Sequence, residues 1–179
     1  ARDYPQIVSY WSDQIETRVI PNTRRLQDYF RGRDMPVAFT RNGAVTSAAA
    51  ETTQRLRPAS LRGGGHRGTP EYEIDARIGP AADELVIRGH TYDKFYGTHL
   101  DLALRSLHVD RLMLTGITTD VCVNSTLIAA STRNYRVTAV TDGMAAIEEH
   151  IQQACLDIWQ NKFARLATTT EVVDEIHQR

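Results

Sequence analysis

The chain has 179 residues, 41% hydrophobic and 24% charged, with 11 Gly and 6 Pro. That composition belongs to a soluble globular domain and excludes a disordered tail, a collagen-like array and a membrane span. Lys plus Arg number 21 against 22 Asp plus Glu, so a net charge of -1 offers no overall positive field to nucleic acid or an anionic membrane.

Cys122 and Cys155 are the only cysteines, which argues against a disulfide framework and for a reducing compartment, the cytoplasm. The opening Ala1-Arg2-Asp3-Tyr4-Pro5 shows neither an apolar signal core nor an Arg/Ser-rich transit pattern. Without an initiator Met, the chain is expected to be processed or truncated.

In chain order, Pro21 fits the first turn of a helix that carries Leu26 and Phe30 on one face and stops near Gly32. A β-branched apolar run, Val37 to Thr40, predicts the first strand. The stretch from Asn42 to Pro70, with Arg57, Arg62, Arg67 and Gly63-Gly64-Gly65, has no periodicity and reads as a surface loop, either a lid or an insertion. Leu85 to Ile87 predicts the second strand. Thr98-His99-Leu100-Asp101 reads as a capping box opening a helix with Leu100, Ala103, Leu104 and Leu107 on its buried face.

Leu112 to Thr115 predicts a third strand, followed by a tight turn and a helix starting near Val121. Val137 to Val140 predicts a fourth strand, and Ile151, Ala154, Cys155, Ile158 and Trp159 form the stripe of the next helix. Arg165 to Ala167 predicts a fifth strand, and Thr168 followed by Glu171 opens a last helix with Val172, Val173 and Ile176. Strands alternating with helices require a parallel sheet covered on both faces, a three-layer αβα (Rossmann-like) fold of the α/β class. No boundary divides the chain, so residues 1–179 read as one domain. Ligands of such sheets bind beyond the carboxyl ends of the strands, which places functional residues just after Arg41, Ile87, Thr115 and Thr141.

Cys122 lies in the segment Gly116-Ile117-Thr118-Thr119-Asp120-Val121-Cys122-Val123, between a strand and a helix. A thiol there meets outward-pointing backbone N–H groups and a helix dipole that favours thiolate, and the same N–H groups can hold an oxyanion. A small residue buried at a strand-to-helix junction is the competing reading. Cys155, in a helical stripe with Ile151 and Ile158, reads as core.

Leu114 to Val123, Tyr92 to Asp101 and Tyr135-Arg136-Val137 together resemble the isochorismatase-like cysteine hydrolases, which include N-carbamoylsarcosine, ureidoacrylate and biuret amidohydrolases and nicotinamidases. Looser similarity runs from Val19-Ile20-Pro21-Asn22 to the segment from Thr168 to Val173. The resemblance implies a six-stranded parallel sheet and a nucleophilic Cys, here Cys122, that cleaves an amide or ureido C–N bond through a thioester. It implies a cis peptide from Ile117 to Thr118, with backbone N–H groups of Thr118 and Cys122 aimed at the oxyanion. Tyr92, Phe95 and Arg41 are expected to contact substrate, and a homo-oligomer, dimer or tetramer, is expected.

The family's other catalytic residues are an Asp ending the first strand and a Lys. No run before Tyr10 supplies that strand, so a strand carrying the Asp is expected upstream of Ala1. The Lys position falls on Gly89, flanked by Arg88, His90 and Lys94. Lys94 or His90 is expected to fill the gap, because Arg88 cannot shuttle a proton and points to the other face of an extended strand. His66, His90, His99, His108, His150 and His177 show no ligand spacing, so neither metal nor cofactor is expected. The leading expectation is a cysteine amidohydrolase for a small amide, carbamoyl or ureido compound. Its rivals are a family member that has lost turnover and persists as a small-molecule binder or oligomeric scaffold, and a vinyl ether hydrolase of the isochorismatase type.

Overall fold

The computed structural model describes residues 4–42, 68, 70–89 and 91–178. The expected loop from Asn42 to Pro70 therefore lies almost wholly outside the described residues, as does His90. Strands β1 (Ala38–Asn42), β2 (Leu85–Gly89), β3 (Arg111–Ile117), β4 (Arg136–Ala145) and β5 (Arg165–Ala167) fall on the expected apolar runs. Every pairing among them is parallel.

The strands divide into two sheets, β1-β2 and β3-β4-β5. Cys122 follows β3, and a central place in the sheet is the natural expectation for the strand bearing a nucleophile; among the described residues, however, β3 pairs with β4 alone and is an edge strand. The burial record shows the same, since every residue of β3 is half-buried or exposed, whereas Val137, Ala139, Val140, Met144 and Ala145 of β4 are buried.

Helices α1 (Tyr4–Gln14) and α2 (Ile20–Arg31) are joined through a π-helical turn, Ile15–Val19. Pro21 does sit in the first turn of α2, and Gly32 ends it, but the chain is already helical from Tyr4, so Pro21 does not start the helix. The remaining helices are α3 (Leu100–Ser106), α4 (Asn124–Thr132), α5 (Glu149–Lys162) and α6 (Thr169–His177).

The expected capping box at Thr98 is absent. The Thr98 hydroxyl donates to the Lys94 carbonyl at 2.5 Å, and Asp101 instead accepts from Arg105 at 3.0 Å and from the Tyr135 hydroxyl at 2.9 Å. Leu107 is 51% exposed, because α3 has ended by that point and His108 turns the chain with φ of 56°. The stripe of α5 is also rotated from expectation: Gln152 and Trp159 are buried, Cys155 and Leu156 pack against the core, and Ile158 is exposed.

Alternation along β4 sorts the core. Val137 and Ala139 face a cluster with Ile87 of β2, Leu100 and Leu104 of α3, Leu127 and Ala130 of α4, and Trp159 of α5. Val140 faces the other way, onto Leu26 of α2, Ala167 of β5 and Val172 of α6. Helices thus cover both sheet faces in the expected three-layer αβα arrangement, and the carboxyl ends of β2 and β3 open toward one region.

Candidate active site

Gly116, with φ of 128°, gives the end of β3 a backbone conformation that residues with a Cβ rarely adopt. The next peptide, Ile117 to Thr118, is cis. Thr118 is extended, and its carbonyl accepts the N–H groups of Val121 and Val123, both at 3.2 Å, which closes a π-helical turn over Thr119–Val123. That turn runs directly into α4, so the helix begins slightly before the expected Val121 and Cys122 lies in its opening turn. The thiol is in no disulfide and is half-buried. Beside it, Thr119 is wholly buried, and neither its hydroxyl nor Asp120 Oδ1 has a hydrogen-bond partner.

One turn along, Thr126 ties this helix to the loop that follows β2. Its hydroxyl accepts the Lys94 N–H at 3.3 Å and donates to the Tyr92 carbonyl at 3.1 Å. Within the loop, Asp93 Oδ1 accepts the Phe95 N–H at 2.7 Å and Thr91 donates to the Asp93 carbonyl at 2.8 Å, so the backbone from Thr91 to Phe95 is fixed by its own short polar side chains. The Lys94 side chain folds back under that loop. It is 2% exposed and its ammonium donates to the Thr91 carbonyl at 2.6 Å.

Desolvation is the main influence on the Lys94 amine and pulls its pKa below the ordinary lysine value, while the nearby charges of Cys122 and Asp93 push it back up. Gly89, at the end of β2, lies against the same side chain: a Cβ built on it would stand 3.4 Å from Lys94 Cδ and 3.6 Å from Nζ. The lysine expected to move inward therefore lies beside the position where the family pattern would place one.

The other expected residues are distributed around this centre. Arg88 is exposed and its neighbours Ile87 and Gly89 are buried, as alternation along β2 requires, so Arg88 points away from Lys94. Arg41 is in register with Arg88, lies 4.2 Å over the Tyr72 ring and pairs with Glu73 at 2.6 Å. With Ile74, Pro80 and Val86 these arginines line a cavity of about 240 Å³ on that other face. Tyr92 is half-buried and reaches the centre through its carbonyl. Phe95 is 5% exposed and its ring lies 5.8 Å from that of Tyr135, so it anchors the loop in the core and offers no surface to a substrate.

Cys155, whose thiol burial pushes its pKa up, packs against the same core cluster. Among the described residues no group of three or more His, Cys, Asp or Glu is placed to hold a metal. Thr126 is the residue that sequence reasoning missed. A threonine four places after Cys122 on a helix has no distinctive spacing, and only the packed loop gives it a role.

The fold and this strand-turn-helix centre define a class, and the comparisons with known proteins give the same one. The isochorismatase domain matches residues 7–171. The isochorismatase family protein YwoC of Bacillus subtilis is 28% identical over 159 residues, 89% of this chain and 84% of that protein. N-carbamoylsarcosine amidase of an Arthrobacter species is 28% identical over 162 residues, and there the chain spans 60% of the relative's length. The crystal structure of an isochorismatase-like hydrolase from Alkaliphilus metalliredigens superposes with a TM-score of 0.81 at 26% identity, covering 90% of this chain and 86% of that one. The chain belongs to the isochorismatase family and is an enzyme of the hydrolase class.

Proposed function

We propose that this chain hydrolyses a C–N bond of a small amide, carbamoyl or ureido compound, with Cys122 as nucleophile. The observation that carries the reading is the meeting of a half-buried reduced thiol, in the opening turn of a helix, with a buried lysine whose charge interacts with it. Similarity to a protein named N-carbamoylsarcosine amidase supports the substrate class.

The Cys122 sulfur attacks the carbonyl carbon, the C–N bond breaks, and the thiol proton leaves with the amine or ammonia. Water then cleaves the thioester, yielding the acid and restoring the thiol. Backbone N–H groups at Thr118 and Cys122 stabilise the oxyanion, and the Lys94 charge favours the negative charge that passes from sulfur to oxygen. Tyr92 is assigned to the approach of the substrate, whereas Arg41, paired with Glu73 on the other face, is not. No metal takes part in these steps, and the enzyme works as a homo-oligomer in a reducing compartment that keeps the thiol reduced.

The test is ammonia release from N-carbamoylsarcosine, N-carbamoylglycine and biuret, together with the rate of Cys122 alkylation by iodoacetamide as a function of pH. Turnover that disappears in Cys122→Ser, and alkylation that persists below the ordinary thiol pKa of about 8.5, are expected. An inert thiol with no turnover on any compound would instead favour the binding protein or scaffold. Sedimentation at micromolar concentration checks the oligomer, and a monomer would overturn that part of the reading.

A further inference from the structure

The space at the carboxyl end of β2 is shaped by an absence. Gly89 is buried and lacks a positive φ, so its backbone accepts a side chain, yet the atoms a side chain would meet are Lys94 Cδ at 3.4 Å, Lys94 Nζ at 3.6 Å and the Thr91 carbonyl at 3.7 Å. A lone Cβ at those separations makes ordinary contact. Anything longer must pass through the volume the Lys94 chain occupies.

On the loop side, Lys94 has little freedom to retreat. Its N–H is held by Thr126, its carbonyl by Thr98, and its ammonium by Thr91. Solvent does not compete for the ammonium, because the residue is 2% exposed. The next residue toward the amino end, Arg88, points to the opposite face and cannot supply the charge.

We infer that Gly89 is a positioning residue of this site: its missing side chain leaves the volume into which Lys94 folds, so the site is defined by one cation-sized space that a side chain from either position 89 or position 94 can fill. The inference rests on the role given to Lys94 under the proposed function. It adds that the place of the charge matters and the loop that delivers it does not.

Four variants test it, each read by the pH dependence of Cys122 alkylation, by ammonia release and by circular dichroism. Lys94→Ala removes the charge; hydrolysis falls by about 100-fold, the loss typical of one electrostatic stabiliser, and the alkylation profile moves to higher pH. Gly89→Leu leaves the lysine in the sequence but fills its space, and the same two signatures appear in a folded protein. Arg88→Gln, one residue away on the other face, changes neither.

The deciding variant is the double substitution Gly89→Lys with Lys94→Ala, which delivers the amine from β2. It restores the alkylation profile and recovers hydrolysis to within about tenfold of the parent, since proximity of the charge rather than its covalent origin sets the effect. A filler at 89 acting only through stability would not shift a pH profile, and the double variant would not reverse it. If Lys94→Ala is impaired while the double variant is no better, and Gly89→Leu where folded behaves like the parent, the inference is overturned and the role of Lys94 stands. If Lys94→Ala alone changes neither readout, the role of Lys94 fails and the inference falls with it.

Discussion

An ammonium group at 2% exposure is costly to bury, and Lys94 offsets the cost with a 2.6 Å hydrogen bond to the Thr91 carbonyl and with the charges of Cys122 and Asp93. Desolvation still dominates, so the amine titrates below its ordinary value of 10.5 when folded. The lowered value has two consequences. Between the lowered folded pKa and 10.5 the unfolded chain binds more protons than the native one, so stability rises with pH across that window. Urea denaturation at stepped alkaline pH is expected to show this rise in the parent and to lose it in Lys94→Met. Hydrolysis moves the opposite way, because the proposed mechanism needs the charge: the alkaline limb of activity is expected below the ordinary lysine range and to shift upward in Lys94→Arg. A second expectation at this scale concerns metals. The six histidines show no ligand spacing along the sequence, so dialysis against a strong chelator is expected to leave ammonia release unchanged, and a loss restored by zinc or iron would contradict it.

The elements that position the site differ in how legible they were. The strands were readable because short β-branched runs bounded by polar residues have few other uses, and all five fall where the runs predict. The capping box of α6 was readable too: Thr168 Oγ1 accepts the Glu171 N–H at 3.3 Å while Glu171 Oε2 accepts the Thr168 N–H at 2.7 Å. Thr168→Ala is expected to cost about 1 kcal/mol in denaturant midpoint analysis. The same signature at Thr98 misleads, because α3 is capped one residue later, at His99, and the Thr98 hydroxyl serves its local neighbours, donating to the Lys94 carbonyl and accepting the Leu100 N–H. The Cys122 turn was visible as a thiol between a strand and a helix, but the inward fold of Lys94 depends on Thr126, a contact across 32 positions that no local pattern encodes. Thr126→Val keeps the shape and deletes both of its hydrogen bonds. It is expected to cost roughly 1–3 kcal/mol for the buried N–H left without a partner, and to reduce hydrolysis at temperatures where the fold is intact.

At the scale of the molecule, the question is what holds a two-stranded and a three-stranded sheet in one body when no strand pairing among the described residues joins them. On one face the cluster that includes Ile87 of β2 and Val137 of β4 does so through shared apolar burial. On the other face the joining element is α2. Its Asn22 donates to the Asp142 carbonyl at 3.0 Å and its Arg25 to the Thr170 hydroxyl at 2.8 Å, on the side of β4 and α6. Toward β2, Gln27 donates to the Ile78 carbonyl at 3.1 Å, and Arg31 grips Glu84 with paired 2.8 Å bonds while also reaching the Gly79 carbonyl at 3.1 Å. Glu84 precedes β2 directly, so this fork fixes the smaller sheet to the helix that the larger one carries. Arg31 holds the Glu84 carboxyl below the usual carboxylate range, so its contribution is complete above the unfolded glutamate pKa of about 4.3 and is lost as pH falls through the lowered folded value. Arg31→Met, which keeps the aliphatic stem, is expected to cost roughly 1–3 kcal/mol near neutral pH and to flatten the acid dependence of stability. Hydrogen exchange resolves where the loss falls: amides of β1 and β2 are expected to exchange faster while those of β4 keep their protection. Uniform acceleration across both sheets would instead mean that the shared core, and not α2, sets how the smaller sheet is held.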